Sequence, residues 1–93
     1  MTSLILFGRR WYERSSGQWL HGVSVYIDGM VEYCSERPHY GGGDRWIDTA
    51  KEWLIRSGHF PGCGERTPLF RYCQAHAIVL FLSVVDVTTK KQL

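Results

Sequence analysis

The period of the apolar positions changes along the chain, and each change marks an element. Residues 4–13 read as a strand, apolar from Leu4 to Phe7 and polar afterwards, ending at the turn Ser15-Ser16-Gly17. Over residues 18–28, Trp19, His21, Val23, Val25 and Ile27 alternate with Leu20, Gly22, Ser24 and Tyr26, which is the period-two pattern of a strand with two different faces. Asp28-Gly29 tolerates the positive φ angles of a type I′ turn, so Met30 to Ser35 is the returning strand of a hairpin. A Pro- and Gly-rich loop, Glu36 to Gly43, precedes a helix whose apolar positions Ile47, Ala50, Trp53 and Leu54 recur at helical spacing. Asp44 is its expected N-cap and Gly58 its stop. After the loop Pro61-Gly62-Cys63-Gly64, Thr67-Pro68 supplies a cap and a first-position proline for a short second helix to about Ala77. Leu69, Phe70 and Cys73 are the expected buried set there. Ile78 to Val85 is almost unbroken apolar and β-branched, the pattern of a strand covered on both faces or placed centrally, which makes it the best candidate for an interior position in the sheet.

The order is β-β-β-α-α-β, which predicts an α+β fold: a four-stranded, mostly antiparallel sheet with two helices on one face. The 93 residues fit one domain, residues 1–87, followed by a flexible tail at 88–93. Such a sheet keeps one face uncovered, and that face becomes the functional question.

Composition narrows the classes. With 44% apolar and 22% charged residues the chain is too hydrophobic to be disordered. A net charge of +2 is small for a committed nucleic-acid binder, and the chain is not acidic enough to mimic DNA. It has no 18-residue apolar run, so no membrane contact is expected. The run Leu4 to Phe7 stops at Gly8-Arg9-Arg10 and lacks the plan of a signal peptide. Three cysteines, Cys34, Cys63 and Cys73, leave one unpaired and predict reduced thiols in a cytoplasm.

The candidate chemistry is uneven. His59 with Cys63, and Cys73 with His76, form a Cys2His2 combination for zinc, although neither pair has the C-x-x-C knuckle and Cys73 has core neighbours. Cys63, flanked by glycines and therefore expected to be exposed, has no base placed beside it. Gly41-Gly42-Gly43 before a helix matches no phosphate-loop spacing, and Asp44 would repel an anion. Asp44, Asp48 and Glu52 look like a solvated helix face. The expectation is therefore no catalytic residue, no metal and no cofactor.

The aromatic and basic residues carry more. Arg10, Tyr12 and Arg14 alternate on one face of the first strand, while Leu20 and Tyr26 lie on the less apolar face of the second. If Val23, Val25 and Ile27 face the helices, tyrosines flanked by arginines are expected on the open face. Tyr40, Arg45 and Trp46, in and beside the glycine loop, extend the set. Tyr, Trp and Arg dominate protein–protein hot spots. The same residues on a sheet stack single-stranded bases, and they also serve simply to cover a sheet, with arginine stems lying on rings. Paired open faces would also make a homodimer. Low net charge favours a protein partner over nucleic acid.

Three segments, Arg9-Arg10-Trp11-Tyr12-Glu13-Arg14, His21 to Gly29 and Tyr40-Gly41-Gly42-Gly43-Asp44-Arg45-Trp46, together resemble a group of small accessory proteins encoded by tailed bacteriophages. That group carries an R-R-W-aromatic start, an H-S-V-x-V strand and a Y-G-Y-G-D loop before a helix containing T-A, matched here by Thr49-Ala50. Gly22 stands where the group has serine, and Gly42 where it has its second tyrosine. The group brings no established activity. The resemblance implies a non-enzymatic protein of the host bacterial cytoplasm that binds and inhibits a host protein, including CRISPR or other anti-phage defence components, as anti-CRISPR proteins do. The expected contact residues are Arg10, Tyr12, Arg14, Leu20, Tyr26, Tyr40, Arg45 and Trp46, on the sheet face or the loop from Pro38 to Arg45. A single-stranded nucleic-acid-binding module using the Tyr/Arg face is the alternative.

Overall fold

The computed structural model describes residues 1–93 and places the strands β1 (Ser3–Glu13), β2 (Gln18–Ile27), β3 (Met30–Cys34), β4 (His39–Tyr40) and β5 (Val79–Asp86) in one sheet. The helices are α1 (Arg45–Arg56) and α2 (Leu69–Ala75). The sheet order is β3-β2-β1-β5, with the short β4 also pairing β2. The α+β class, the element order and the mostly antiparallel sheet are as the sequence predicts; β4 is an additional strand inside the expected loop.

Local chemistry explains the frame. Asp28 and Gly29 both take positive φ, 50° and 84°, as a two-residue hairpin turn requires. The Asp28 carboxylate accepts hydrogen bonds from the Thr2 and Ser3 N–H groups and from the Thr2 hydroxyl, tying the start of β1 to that turn. The β1–β2 pairing then runs without a slip from Leu4↔Ile27 to Glu13↔Gln18. Beyond β3 the chain crosses one face through both helices and returns at the far edge as β5, parallel to β1. A parallel neighbour needs such a crossover, and here the helical segment provides it.

The core fills the space between the sheet and the helices. Leu4, Leu6, Val23 and Val25 rise from the sheet to meet Trp46, Ala50 and Leu54 of α1 and Leu69, Tyr72 and Cys73 of α2. Burying an aliphatic or phenyl side chain of this kind contributes roughly 1.5–3 kcal/mol. At Gly8 the Trp46 ring of α1 packs directly on β1: a Cβ there would lie 2.4 Å from it. Trp46 is therefore a core residue, and its ring covers the middle of β1. At the far end of α1, Gly58 takes φ 81°, and the N–H groups of His59 and Phe60 both donate to the Leu54 carbonyl at 3.0 and 3.2 Å. That turn delivers Phe60 into the core.

Several expectations are corrected. Asp44 occupies the N-cap position of α1 but makes no side-chain cap bond. The cap of α2 is Pro68, whose carbonyl accepts from Arg71 and Tyr72, one residue later than expected. Counting from Leu69 at helical spacing then brings Tyr72 inward and leaves Phe70 exposed. The apolar β5 lies at an edge of the sheet and not in its interior. Residues 88–93, expected as a flexible tail, form a 3-10 turn over Lys90–Gln92 with a Thr89/Gln92 capping box. This turn brings the Leu93 carboxyl end against Gly22, where a Cβ would stand 3.0 Å away.

Candidate docking site at the first hairpin

The unbroken register of β1 and β2 decides where the predicted contact residues lie. Side chains alternate along a strand, so Arg10 and Tyr12 share a face with Leu4 and Leu6. That is the helix-bearing face, not the open one. Cross-strand, Arg10 sits opposite His21, and Tyr12 opposite Trp19. At this end the strands extend past the helices, so Tyr12 and Trp19 stay exposed although they share the core's face. Arg14 stands beyond β1 in the exposed turn, closed by the Gly17 N–H donating to the Glu13 carbonyl at 2.8 Å.

The remaining predicted residues divide. Tyr40 is 73% exposed, opposite Leu20 in the β2–β4 ladder, and Arg45 is exposed at the start of α1. Leu20 and Trp46 are buried, so neither offers a surface. Tyr26 is half-buried on the open face, away from the others. Arg10 and Tyr12 thus stand beside Trp19 on the helix-bearing face, with Arg45 against the adjoining glycine loop, while Tyr40, opposite Leu20, points to the other face at the same end of the sheet.

The tilted rings of Tyr12 and Trp19 lie 5.4 Å apart, and the Arg10 guanidinium stands 5.9 Å from the Trp19 ring. Arg10 also donates to the Asp86 carboxylate at 2.8 Å and to the Gly43 carbonyl at 3.1 Å. One guanidinium therefore joins β1, the end of β5 and the glycine loop. The loop is held from its other side as well. The Gly41 N–H donates to the Trp19 carbonyl at 2.9 Å, and a Cβ on Gly42 would meet Trp19 Cγ at 2.8 Å. A tyrosine at position 42 would need that space; the glycine gives it to Trp19. The Arg45 stem lies against Gly41, whose φ of 132° suits glycine.

His21 anchors the loop from below and is 1% exposed. Its Nδ1 lies 2.9 Å from the Gly41 carbonyl and its Nε2 2.7 Å from the Thr49 hydroxyl. A carbonyl only accepts, so Nδ1 carries the proton. Burial, assisted by His39 and Arg45, lowers the pKa of His21 below 6.5 against the Gly41 bond and Asp48, so the ring is neutral at pH 7 and Nε2 accepts from Thr49. His39 stacks on this ring at 5.6 Å. Gln18, Trp19, Tyr40, Gly41 and Gly42 line a surface hollow above it.

The zinc combination is not assembled. His59 packs against Trp53, His76 stacks on Tyr72 at 4.1 Å, and the Cys63 thiol is buried beside the Gly64 carbonyl rather than exposed. Cys73 is a core thiol whose pKa burial raises. No group of three or more His, Cys, Asp or Glu side chains is placed to hold a metal ion. No helix is long and apolar enough to cross a membrane.

Compared with protein-family models, curated proteins and solved structures, the chain has no significant match.

Signals for Trp19 and His21 were present in the sequence. A turn at residues 14–17 fixes the pairing sum of the hairpin, and that sum places Tyr12 opposite Trp19 and Arg10 opposite His21. Alternation from Leu4 and Leu6 then assigns the face.

Proposed function

We propose that the chain is a non-enzymatic interaction protein that binds and inhibits a host protein through the Tyr12–Trp19–Tyr40 end of its sheet. The observation that carries this reading is the exposure of Tyr12 and Trp19 on the strands beside Arg10, and of Tyr40 and Arg45 at either end of the adjoining loop, which is latched at Gly41, Gly42 and Gly43. Aromatic and arginine side chains supply most hot-spot energy, and a latched loop loses little conformational freedom on binding. The resemblance of residues 9–50 to phage accessory proteins supports a bacterial host cytoplasm as the setting and an anti-phage defence component, such as a CRISPR complex, as the partner class.

The test is an affinity capture from host cells with the wild-type chain and with Tyr40→Ala, followed by an assay of the captured complex. Tyr40 is exposed enough for the variant to fold normally. A hot-spot role predicts a loss of about 2 kcal/mol, roughly 30-fold in affinity, together with loss of inhibition. Capture that is indifferent to Tyr40→Ala and Trp19→Ala refutes the site. Salt-sensitive binding to single-stranded oligonucleotides, lost in the same variants, would replace the protein partner with nucleic acid.

A further inference from the structure

The free edge of the sheet is the strongest feature outside that site. Strand β5 is exposed on both faces: Val79, Phe81 and Val85 on the open face at 55, 58 and 43%, and Leu82 on the helix-bearing face at 47%. Val79 and Val87 donate their N–H groups to β1, at the Thr2 and Arg10 carbonyls. Alternation therefore turns the N–H and C=O groups of Leu80, Leu82 and Val84 outward, onto an edge with no partner strand. Nothing on this edge resists pairing. From Ile78 to Val85 there is no charge and no proline, and the register with β1 is unbroken over eight residues. Sheet edges that stay free are normally blunted by just those devices.

We propose that two copies of the chain associate by antiparallel pairing of their β5 strands about a two-fold axis at Leu82, giving one sheet that runs through both protomers. The strand is its own complement in that register. Leu82 faces Leu82, Leu80 faces Val84 and Val79 faces Val85, with Phe81↔Ser83 and, at the two ends, Ile78↔Asp86 mixing apolar and polar. The outward groups of Leu80, Leu82 and Val84 meet as hydrogen-bonded pairs.

Self-complementarity points to a second copy, because the outward-facing residues of β5 meet their own sequence about Leu82. A single added peptide strand would also leave its own far edge open. A second copy brings its own β1 instead, so the apolar stripe Ile5, Phe7, Val79, Phe81 and Val85 on the open face becomes continuous across the axis. The pairing further makes β5 an interior strand, the position its apolar sequence predicts. This dimer stands whether or not the Tyr12–Trp19 end has a partner.

Sedimentation of the full chain, combined with amide hydrogen exchange, tests it. The wild type should sediment as twice the 10.8 kDa chain, with slow exchange at Leu80, Leu82 and Val84 that is lost on dilution. Phe81→Lys and Leu82→Lys should each weaken association at least tenfold, while Val31→Lys on the opposite edge leaves it unchanged. The exchange measurement uses the wild type alone, so it decides even where a lysine variant folds poorly. A wild type that stays monomeric into the millimolar range overturns the proposal. So does a dimer whose Leu80, Leu82 and Val84 amides exchange freely, or one broken by Val31→Lys and not by Phe81→Lys.

Discussion

At one edge of the sheet the strands are short and interrupted: β3 has five residues, β4 has two, and a register shift falls between Val25 and Tyr26 of β2. Glu32, Glu36, Arg37 and Pro38 crowd that edge with charge and a missing donor. At the other edge β5 runs eight residues in unbroken register with no charge before Asp86. Irregularity and charge close the first edge to an added strand, and their lack leaves the second open. The asymmetry limits assembly. Two open edges would propagate a filament, whereas one open edge, paired about a two-fold axis, closes on itself as a dimer.

The largest effect is expected where both edges are joined. Strand β1 pairs β2 on one side and β5 on the other, and Gly8 is its point of contact with Trp46. Gly8→Ala places a Cβ 2.4 Å from an indole ring that is itself in the core. Overpacking of this kind costs about 3 kcal/mol. Urea denaturation should show that loss as a lower midpoint with a single transition, because the two edges share β1. Separate transitions for the β3 and β5 amides would show that the two sides fold independently and would break the comparison.

A smaller effect separates the edges by pH. His21 lies under β4 with His39 stacked on it and Arg45, Asp48 and Thr49 facing it from α1. Its folded pKa is depressed by burial, so the unfolded chain takes up the proton more readily. Stability is therefore full above the ordinary value of 6.5 and falls as the pH drops through and below it. Melting temperatures measured at about pH 7.5 and about pH 5.5 should differ in the wild type, and the difference should shrink in His21→Gln. A second loss belongs to the turn into β3. Hydrogen bonds from Ser3 and Thr2 lower the Asp28 pKa from 3.8 to about 2, so the anchoring they provide is present above about pH 4 and is lost as the pH falls toward 2. A pH profile that Asp28→Asn leaves unaltered in that range would remove Asp28 from this account.

The legible part of the fold was the part that local chemistry determines. The Asp28-Gly29 turn, the Gly58 stop and the inward face of Val23 and Val25 follow from residue type and spacing, and the structure has them, whereas Leu20 and Ser24, expected on the open face of β2, are buried. What sequence spacing did not settle was which elements meet. Alternation within β1 already puts Arg10 and Tyr12 on the face of Leu4 and Leu6, but spacing alone does not say that the helices cover this face. Trp46 looked like a loop aromatic because its partner, Gly8, lies 38 positions earlier in the chain. The interior pattern of β5 conflicts with its edge position in the isolated chain, and the proposed dimer resolves that conflict.

The two edges differ even in how the chain enters them. Strand β3 follows Asp28 and Gly29, residue types that tolerate the left-handed conformation they adopt. Strand β5 follows Ala77, which holds φ at 55° with its N–H on the Gln74 carbonyl, while the Ile78 N–H returns to Cys73 at 2.8 Å. These bonds end α2 and aim β5, but alanine has no local compensation for a conformation that costs an L-residue about 1–2 kcal/mol. Glycine removes that cost and adds back part of it as greater freedom in the unfolded chain. Ala77→Gly should therefore stabilise the protein by about 0.5–1 kcal/mol, raising the melting temperature by roughly 2–8 °C. The corresponding change at the other edge, Gly29→Ala at φ 84°, should destabilise it. Opposite signs for the two substitutions would confine the backbone strain to the β5 edge; a loss of stability in Ala77→Gly would show that the Ala77 methyl is held by packing that outweighs its strain.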